Sequence, residues 1–193
     1  MSEHFLEINE KFYKDYDNWD KAKSNFAFNL GKPTTAFNSN FNPSTKKIIW
    51  DASKIIKIKK KHPSMSDDII KQVPKIISCP TVILLSKSHN SRITLFSELT
   101  DNDNFPIIVI LELLPSINNS ISVDTIKVVS AYGKNHSIQS FIDKSIVLYI
   151  DTDIQRIKHW ETNFNVSLCD YPTGFNTKNL SEVKKIEPIL VVS

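Results

Sequence analysis

Between Phe5 and Phe26 the large apolar positions Phe5, Ile8, Phe12, Tyr16, Trp19 and Phe26 recur at steps of three and four residues, with one step of seven. That spacing puts them on one helical face and predicts an amphipathic N-terminal helix over roughly residues 3–28, with Gly31 and Pro33 as its stop. Thr34 to Ser44 reads as a connector, and Lys46 to Ile58 as a short strand followed by a helical turn. Ser64 and Ser66 stand just before Asp67 and Asp68, so a helix should begin there, carry Ile69, Ile70 and Val73 inward, and restart at Pro74.

After Pro80 the pattern changes to short β-rich runs separated by polar turns: Thr81 to Ser86, Arg92 to Ser97, Ile107 to Leu114 and Val123 to Ala131, with turns at Lys87 to Asn90, Thr100 to Asn104 and Asn118 to Ser120. Runs in hairpin order pair antiparallel. Ser137 is placed to cap a helix through Lys144, Ile146 to Ile150 is a strand, and Asp153 is placed to cap a helix carrying Ile154, Ile157 and Trp160 inward. From Val166 onward the chain reads as irregular, with an edge strand at Ile189 to Val192. The expectation is an α+β fold: an antiparallel β-sheet with packed helices and an N-terminal amphipathic helix. Residues 1–29 are the helical extension, 30–165 the α+β domain and 166–193 an irregular C-terminal segment.

Composition narrows the chemistry. The chain has 193 residues, 40% hydrophobic and 23% charged, which suits one folded domain. Its three glycines, Gly31, Gly133 and Gly174, form no phosphate-binding glycine loop. Cys79 and Cys169 are isolated from each other and from any ligand pattern, so both read as buried thiols, and no cofactor or metal is expected. Apolar runs are strand-sized and the N-terminus has no basic-then-apolar leader, so a cytoplasmic protein with no membrane partner is expected.

Charge is unevenly spread. Residues 46–61 carry seven Lys (Lys46, Lys47, Lys54, Lys57, Lys59, Lys60, Lys61) against one Asp, twice the net +3 of the whole chain. Such a stripe either attracts a polyanion such as RNA or is a solvated face. Three segments set chemically useful residues at structural boundaries: Lys60-Lys61-His62-Pro63, Ser130-Ala131-Tyr132-Gly133-Lys134 and Arg156-Ile157-Lys158-His159-Trp160. In the first, an imidazole that can move a proton follows ammonium groups that can hold a phosphate, or simply flanks a helix. In the second, Ser130 and Tyr132 share a strand face, Gly133 allows a tight turn and Lys134 completes an anion site, or a Tyr packs at a strand end beside a solvated Lys. In the third, Arg156 and Trp160 lie four apart, suited to stacking on each other or on a base, or Trp160 is a core residue.

The succession Leu30-Gly31-Lys32-Pro33-Thr34, Lys61-His62-Pro63, Val73-Pro74, Cys79-Pro80, a strand meander, Val129-Ser130-Ala131-Tyr132-Gly133-Lys134 and Leu148-Tyr149 before a Trp-bearing helix resembles the MuF C-terminal domain over roughly Leu30 to Trp160. That family occurs at the C-termini of phage and polymorphic-toxin proteins and is grouped with the barnase/EndoU/colicin/RelE-like nucleases. The resemblance implies a metal-independent RNase in which the ribose 2′-hydroxyl attacks the adjacent phosphorus. Carried over, it makes His62 the base or acid, Lys61 and Lys134 stabilisers of phosphate charge, and Ser130 and Tyr132 donors to the phosphate. Lys60, Arg156 and Trp160 would contact the RNA, and His136, outside the motif, is a reserve proton donor. The competing expectations are a non-catalytic protein-binding module that keeps the nuclease-like fold, and an immunity-type or host-interaction protein. Convergence of His62, Ser130, Tyr132 and Lys134 in one cleft separates catalysis from binding alone.

Overall fold

The computed structural model describes residues 2–41, 47–117, 120–121 and 125–184. The expected edge strand at Ile189 to Val192, Asn118 and Asn119 of one expected turn, and Lys46 of the basic stripe lie outside the described residues.

In chain order the elements are β1 (Leu6–Ile8), α1 (Lys11–Asp17), β2 (Ala27–Pro33), α2 (Thr35–Asn40), β3 (Lys47–Asp51), α3 (Ala52–Lys61), α4 (Asp67–Ile70) and α5 (Val73–Ser78). They continue with β4 (Val82–Leu85), β5 (Arg92–Thr100), β6 (Pro106–Glu112), β7 (Ser116–Ile117), β8 (Ser120–Ile121) and β9 (Thr125–Gly133). The last are α6 (Ile138–Asp143), β10 (Ile146–Ile150), α7 (Ile154–Phe164), β11 (Gly174–Phe175) and α8 (Thr177–Leu180). Nine strands form one sheet in the order β1-β2-β3-β9-β6-β5-β4-β10-β11, and β7 pairs with β8 apart from it. Each pairing in the sheet is antiparallel except β3 with β9, where Ile48 lies beside Ile126 in a parallel register. The meander read from the sequence is its centre: β4, β5, β6 and β9 pair antiparallel in succession. Ser137 and Asp153 cap α6 and α7 as expected, accepting from Ser140 N and from Gln155 N and Arg156 N. Ile154, expected to point inward, is exposed.

The N-terminus departs from the expected helix. Only Lys11–Asp17 is helical, because Asn18 ends it by returning both its backbone N–H and its side-chain amide to Lys14 O. Phe5, Phe12, Tyr16, Trp19 and Phe28 are all buried as their apolar character requires, but Phe5 lies just ahead of β1 and Phe28 in β2. Both strands belong to the main sheet, so this segment is built into the domain. Gly31, read as a helix stop, is a strand residue at φ +147°, where a Cβ would lie 2.1 Å from Glu7 O across the β1–β2 pair.

Each face of the sheet is covered. On one, Ile83, Leu95, Val109, Leu111 and Ile126 pack with Ile55, Ile58, Ile76 and Ile77 of the helices before the meander. On the other, Leu84, Phe96, Ile108 and Val147 pack with Ile138, Ile142, Ile157 and Trp160 of α6 and α7. Each such fully buried side chain contributes about 1.5–3 kcal/mol of transfer free energy. Asp67 ties helices together: it accepts from Tyr16 Oη at 2.6 Å and pairs with Lys59.

Register along β9 decides what faces the helices. Leu111 lies opposite Val128 and Ile110 opposite Ser130, so Val129 is an extra residue, a β-bulge. Before it, Ile126 and Val128 point into the first core; after it, Ala131 does. The bulge reverses the alternation and turns Ser130, Tyr132 and Lys134 to the opposite face.

Candidate functional site

On that second face, where α6 does not reach the sheet, a cleft of about 710 Å³ opens over β5, β6 and β9. Thr94, Ile110 and Ser130 are neighbours in register and form its floor. Lys54 of α3 stands at one side, Phe141, Lys144 and Ser145 from α6 and its end at another, and Ser86 to His89 with Arg92 at a third. The lining thus holds four cationic side chains, one imidazole and several hydroxyls, and no carboxylate. Among the described residues Lys54, Lys87 and Lys144 make no ion pair. Arg92 donates through Nε to Glu112 Oε2 at 2.8 Å, a contact that fixes the guanidinium plane. Glu112 is itself committed, its other oxygen accepting from Leu114 N. Three ammonium groups unpaired among the described residues, with a guanidinium held in place by Glu112 beside them, make an anion site.

A second, smaller cleft of about 220 Å³ lies beyond the other end of this row. There the His62 ring lies flat on Tyr132, with centroids 4.7 Å apart and planes 10° apart. Lys61, Asp101, Asp103, Phe105, Gly133 and Asn135 also line it. Burial pushes the Tyr132 phenol above its ordinary pKa, so it serves as a hydrogen-bond donor near neutral pH. Gly133 makes no turn here. It is a strand residue whose missing Cβ leaves room for Asp101, for an added Cβ would lie 1.9 Å from Asp101 Oδ2. Asp101 in turn accepts from Ser64 Oγ at 2.8 Å and from Asp103 N and Phe105 N, holding the β5–β6 connection against the segment after α3.

The residues singled out in the sequence therefore divide. His62, Lys61 and Tyr132 meet at the smaller cleft, and Ser130 belongs to the cation-lined one. Lys134 shares their strand face and sets its ammonium 5.3 Å from the centroid of Phe141, at the margin of the larger cleft. Lys60 and His136 are exposed and line neither. Arg156 and Trp160 are elsewhere. Arg156 pairs with the fully buried Asp151 and with Glu98 and donates to Cys79 O. Trp160 is 0% exposed and donates Nε1–H to Ser97 O at 2.9 Å, so its indole has no face open to a base.

His89 and Lys54 were missed as a pair. Thirty-five positions separate them, and only the placement of α3 beside β9 brings both to the floor strands. The thiols also differ from expectation: Cys169 is exposed, and Cys79 is half-buried with its sulfur 3.1 Å from His4 Nδ1. Burial pushes the Cys79 thiol up, against the opposing charge of Arg156, so it stays protonated near neutral pH. Among the described residues no group of three or more His, Cys, Asp or Glu is placed to hold a metal ion, and no helix is long and apolar enough to cross a membrane.

The family model for the phage MuF-C-terminal domain matches residues 54–156, just over half of the chain, a span that begins at Lys54 of the cleft and ends at Arg156. No curated protein and no solved structure matches the chain.

Proposed function

The chain belongs to the phage MuF C-terminal domain family, and from that premise we propose that it is a metal-independent endoribonuclease acting in the cleft over β5, β6 and β9. One observation carries the reading: Lys54, Lys87, Arg92 and Lys144 converge on Ser130 with an imidazole beside them and no carboxylate among the lining residues. An RNA phosphodiester is the anion that such a lining can both hold and act upon.

His89 takes the proton of the ribose 2′-hydroxyl. The 2′-oxygen bonds to phosphorus, the bond from phosphorus to the 5′-oxygen breaks, and that oxygen receives a proton from one of the cleft ammonium groups, leaving a 2′,3′-cyclic phosphate. Charge that builds on the phosphoryl oxygens is met by Arg92 and the lysines, and the Ser130 hydroxyl donates to one of them. In this reading His89 replaces His62 as the proton-transfer group, because His62 lies at the cleft that holds Asp101 and Asp103, where a phosphate is repelled.

The test is cleavage of a mixed-sequence RNA in the presence of EDTA. Wild type cuts, and His89→Ala loses about 10²–10⁴-fold in rate, the usual worth of a general base. No cleavage by folded wild type, or undiminished cleavage by His89→Ala, contradicts it. In the first case the alternative, a non-catalytic protein-binding module that keeps the fold, takes its place.

A further inference from the structure

The smaller cleft has the wrong charge for a phosphate and the right chemistry for a base. One wall is the parallel His62–Tyr132 stack and another carries Phe105, which is 38% exposed. Aromatic and imidazole planes of this kind are the platforms on which unstacked RNA bases settle. Asp101 is consumed by its own turn, but the Asp103 carboxylate is exposed and, among the described residues, accepts no hydrogen bond. A free carboxylate at the mouth of an aromatic slot needs donors and excludes acceptors. Guanine alone among the RNA bases presents two parallel donors, N1–H and the N2 amino group, on its Watson–Crick edge. Adenine and cytosine offer an amino donor beside an acceptor, and uracil an imino donor between two acceptors.

Position along the strand links this cleft to the phosphate site. Ser130 and Tyr132 stand on the same face of β9, two residues and so roughly 6–7 Å apart. That separation suits a phosphate over Ser130 and the base of the same nucleotide against the His62–Tyr132 stack.

We infer that the cleft of His62, Tyr132, Phe105 and Asp103 is a guanine subsite, which makes single-stranded RNA cut after guanosine the preferred substrate. The inference rests on the cation-lined cleft as the phosphate site. The His62–Tyr132 stack supplies the platform, Asp103 receives both donors of the guanine edge, and Asn135 lies beside them at the rim.

The experiment is titration of the full chain with 3′-GMP, 3′-AMP, 3′-CMP and 3′-UMP, for wild type, Asp103→Asn and Lys54→Ala. Guanine is preferred by about tenfold or more in wild type, the discrimination a two-bond base contact provides. Asp103→Asn, which keeps the shape and removes the charge, brings 3′-GMP to the level of the others. Lys54→Ala weakens all four alike. Equal binding of the four nucleotides by wild type, or a guanine preference that survives Asp103→Asn, overturns the subsite. An unchanged affinity in Lys54→Ala beside an intact guanine preference overturns the phosphate cleft and leaves the subsite standing, and absence of binding by any nucleotide overturns both.

Discussion

The imidazole of His62 lies parallel to the phenol ring of Tyr132 at a centroid distance of 4.7 Å, which joins the C-terminal end of α3 to the last turn-free residues of β9. The contact matters because α3 runs alongside the part of β9 that β3 does not reach, with Lys54 near its start beside Val129 and Ser130, and His62 at its end on Tyr132. Holding His62 therefore also holds Lys54 over the cleft.

The first prediction concerns that joint. Tyr132→Phe keeps the ring and should leave stability near wild type, whereas Tyr132→Ala loses the stack and part of the packing against Ile108, costing about 2 kcal/mol. Urea denaturation of the two variants distinguishes them; equal loss in both would show that the hydroxyl, and not the ring, is what matters.

A second prediction separates structure from function at Arg156. Its guanidinium neutralises Asp151, which is 0% exposed, and reaches Glu98 at 2.7 Å. Arg156→Ala leaves a buried, uncompensated carboxylate and should cost about 3–5 kcal/mol. RNA affinity of the fraction that remains folded should be unchanged. A selective loss of RNA affinity with normal stability would restore Arg156 to the substrate-binding role its sequence position suggested.

Acid sensitivity follows from two carboxylates. Burial works to raise the pKa of Glu98, but the hydrogen bond and charge of Arg156 outweigh it and hold the group below its ordinary value. At Asp67, burial is likewise outweighed by hydrogen bonds from Lys59 and Tyr16. A folded pKa below the unfolded one stabilises fully above the ordinary carboxylate range of about pH 4 and loses that contribution as pH falls through the depressed value. The urea midpoint should thus fall between pH 5 and pH 2 by about the same mechanism at both sites, and Glu98→Gln and Asp67→Asn should each flatten that fall. A decline as steep in both variants as in wild type would contradict it.

The cleft cations make a prediction about salt. If Lys54, Lys87 and Lys144 each meet a phosphate, replacing one by Ala weakens binding of a single-stranded oligonucleotide and reduces the salt slope by about 0.7. Fluorescence anisotropy over a salt series measures both. Because these side chains make no ion pair among the described residues, folding stability should change by about 0.5 kcal/mol or less.

Much of the architecture was readable from local pattern. The meander, the Ser137 and Asp153 caps and the restart at Pro74 are each dictated within a few residues, by alternation, by a side chain accepting from backbone N–H, or by a missing donor. The long-range features were not. The apolar residues of the N-terminus satisfy a helical period, yet Phe28 and Leu30 are buried in a strand paired with β3, where Phe28 lies opposite Trp50, a residue far along the chain. Alternation places Ser130 and Tyr132 on a common face, but the bulge at Val129 determines which face, and no residue type at that position announces a bulge. The site was legible in the same measure. The pairing of His62 with Tyr132 follows elements whose ends the sequence marks, while the meeting of Lys54, His89 and Lys144 depends on how three separate elements cross the sheet.

A DNA oligonucleotide containing one riboguanosine, incubated with the wild-type chain in EDTA with the all-deoxy strand as control, isolates the role of the 2′-hydroxyl. The expected result is a single cut on the 3′ side of the ribonucleotide, a 2′,3′-cyclic phosphate on the product, and loss of the cut in His89→Ala. Cleavage of the all-deoxy strand would show that the 2′-hydroxyl is not the nucleophile, and an intact chimaeric strand would contradict the nuclease reading.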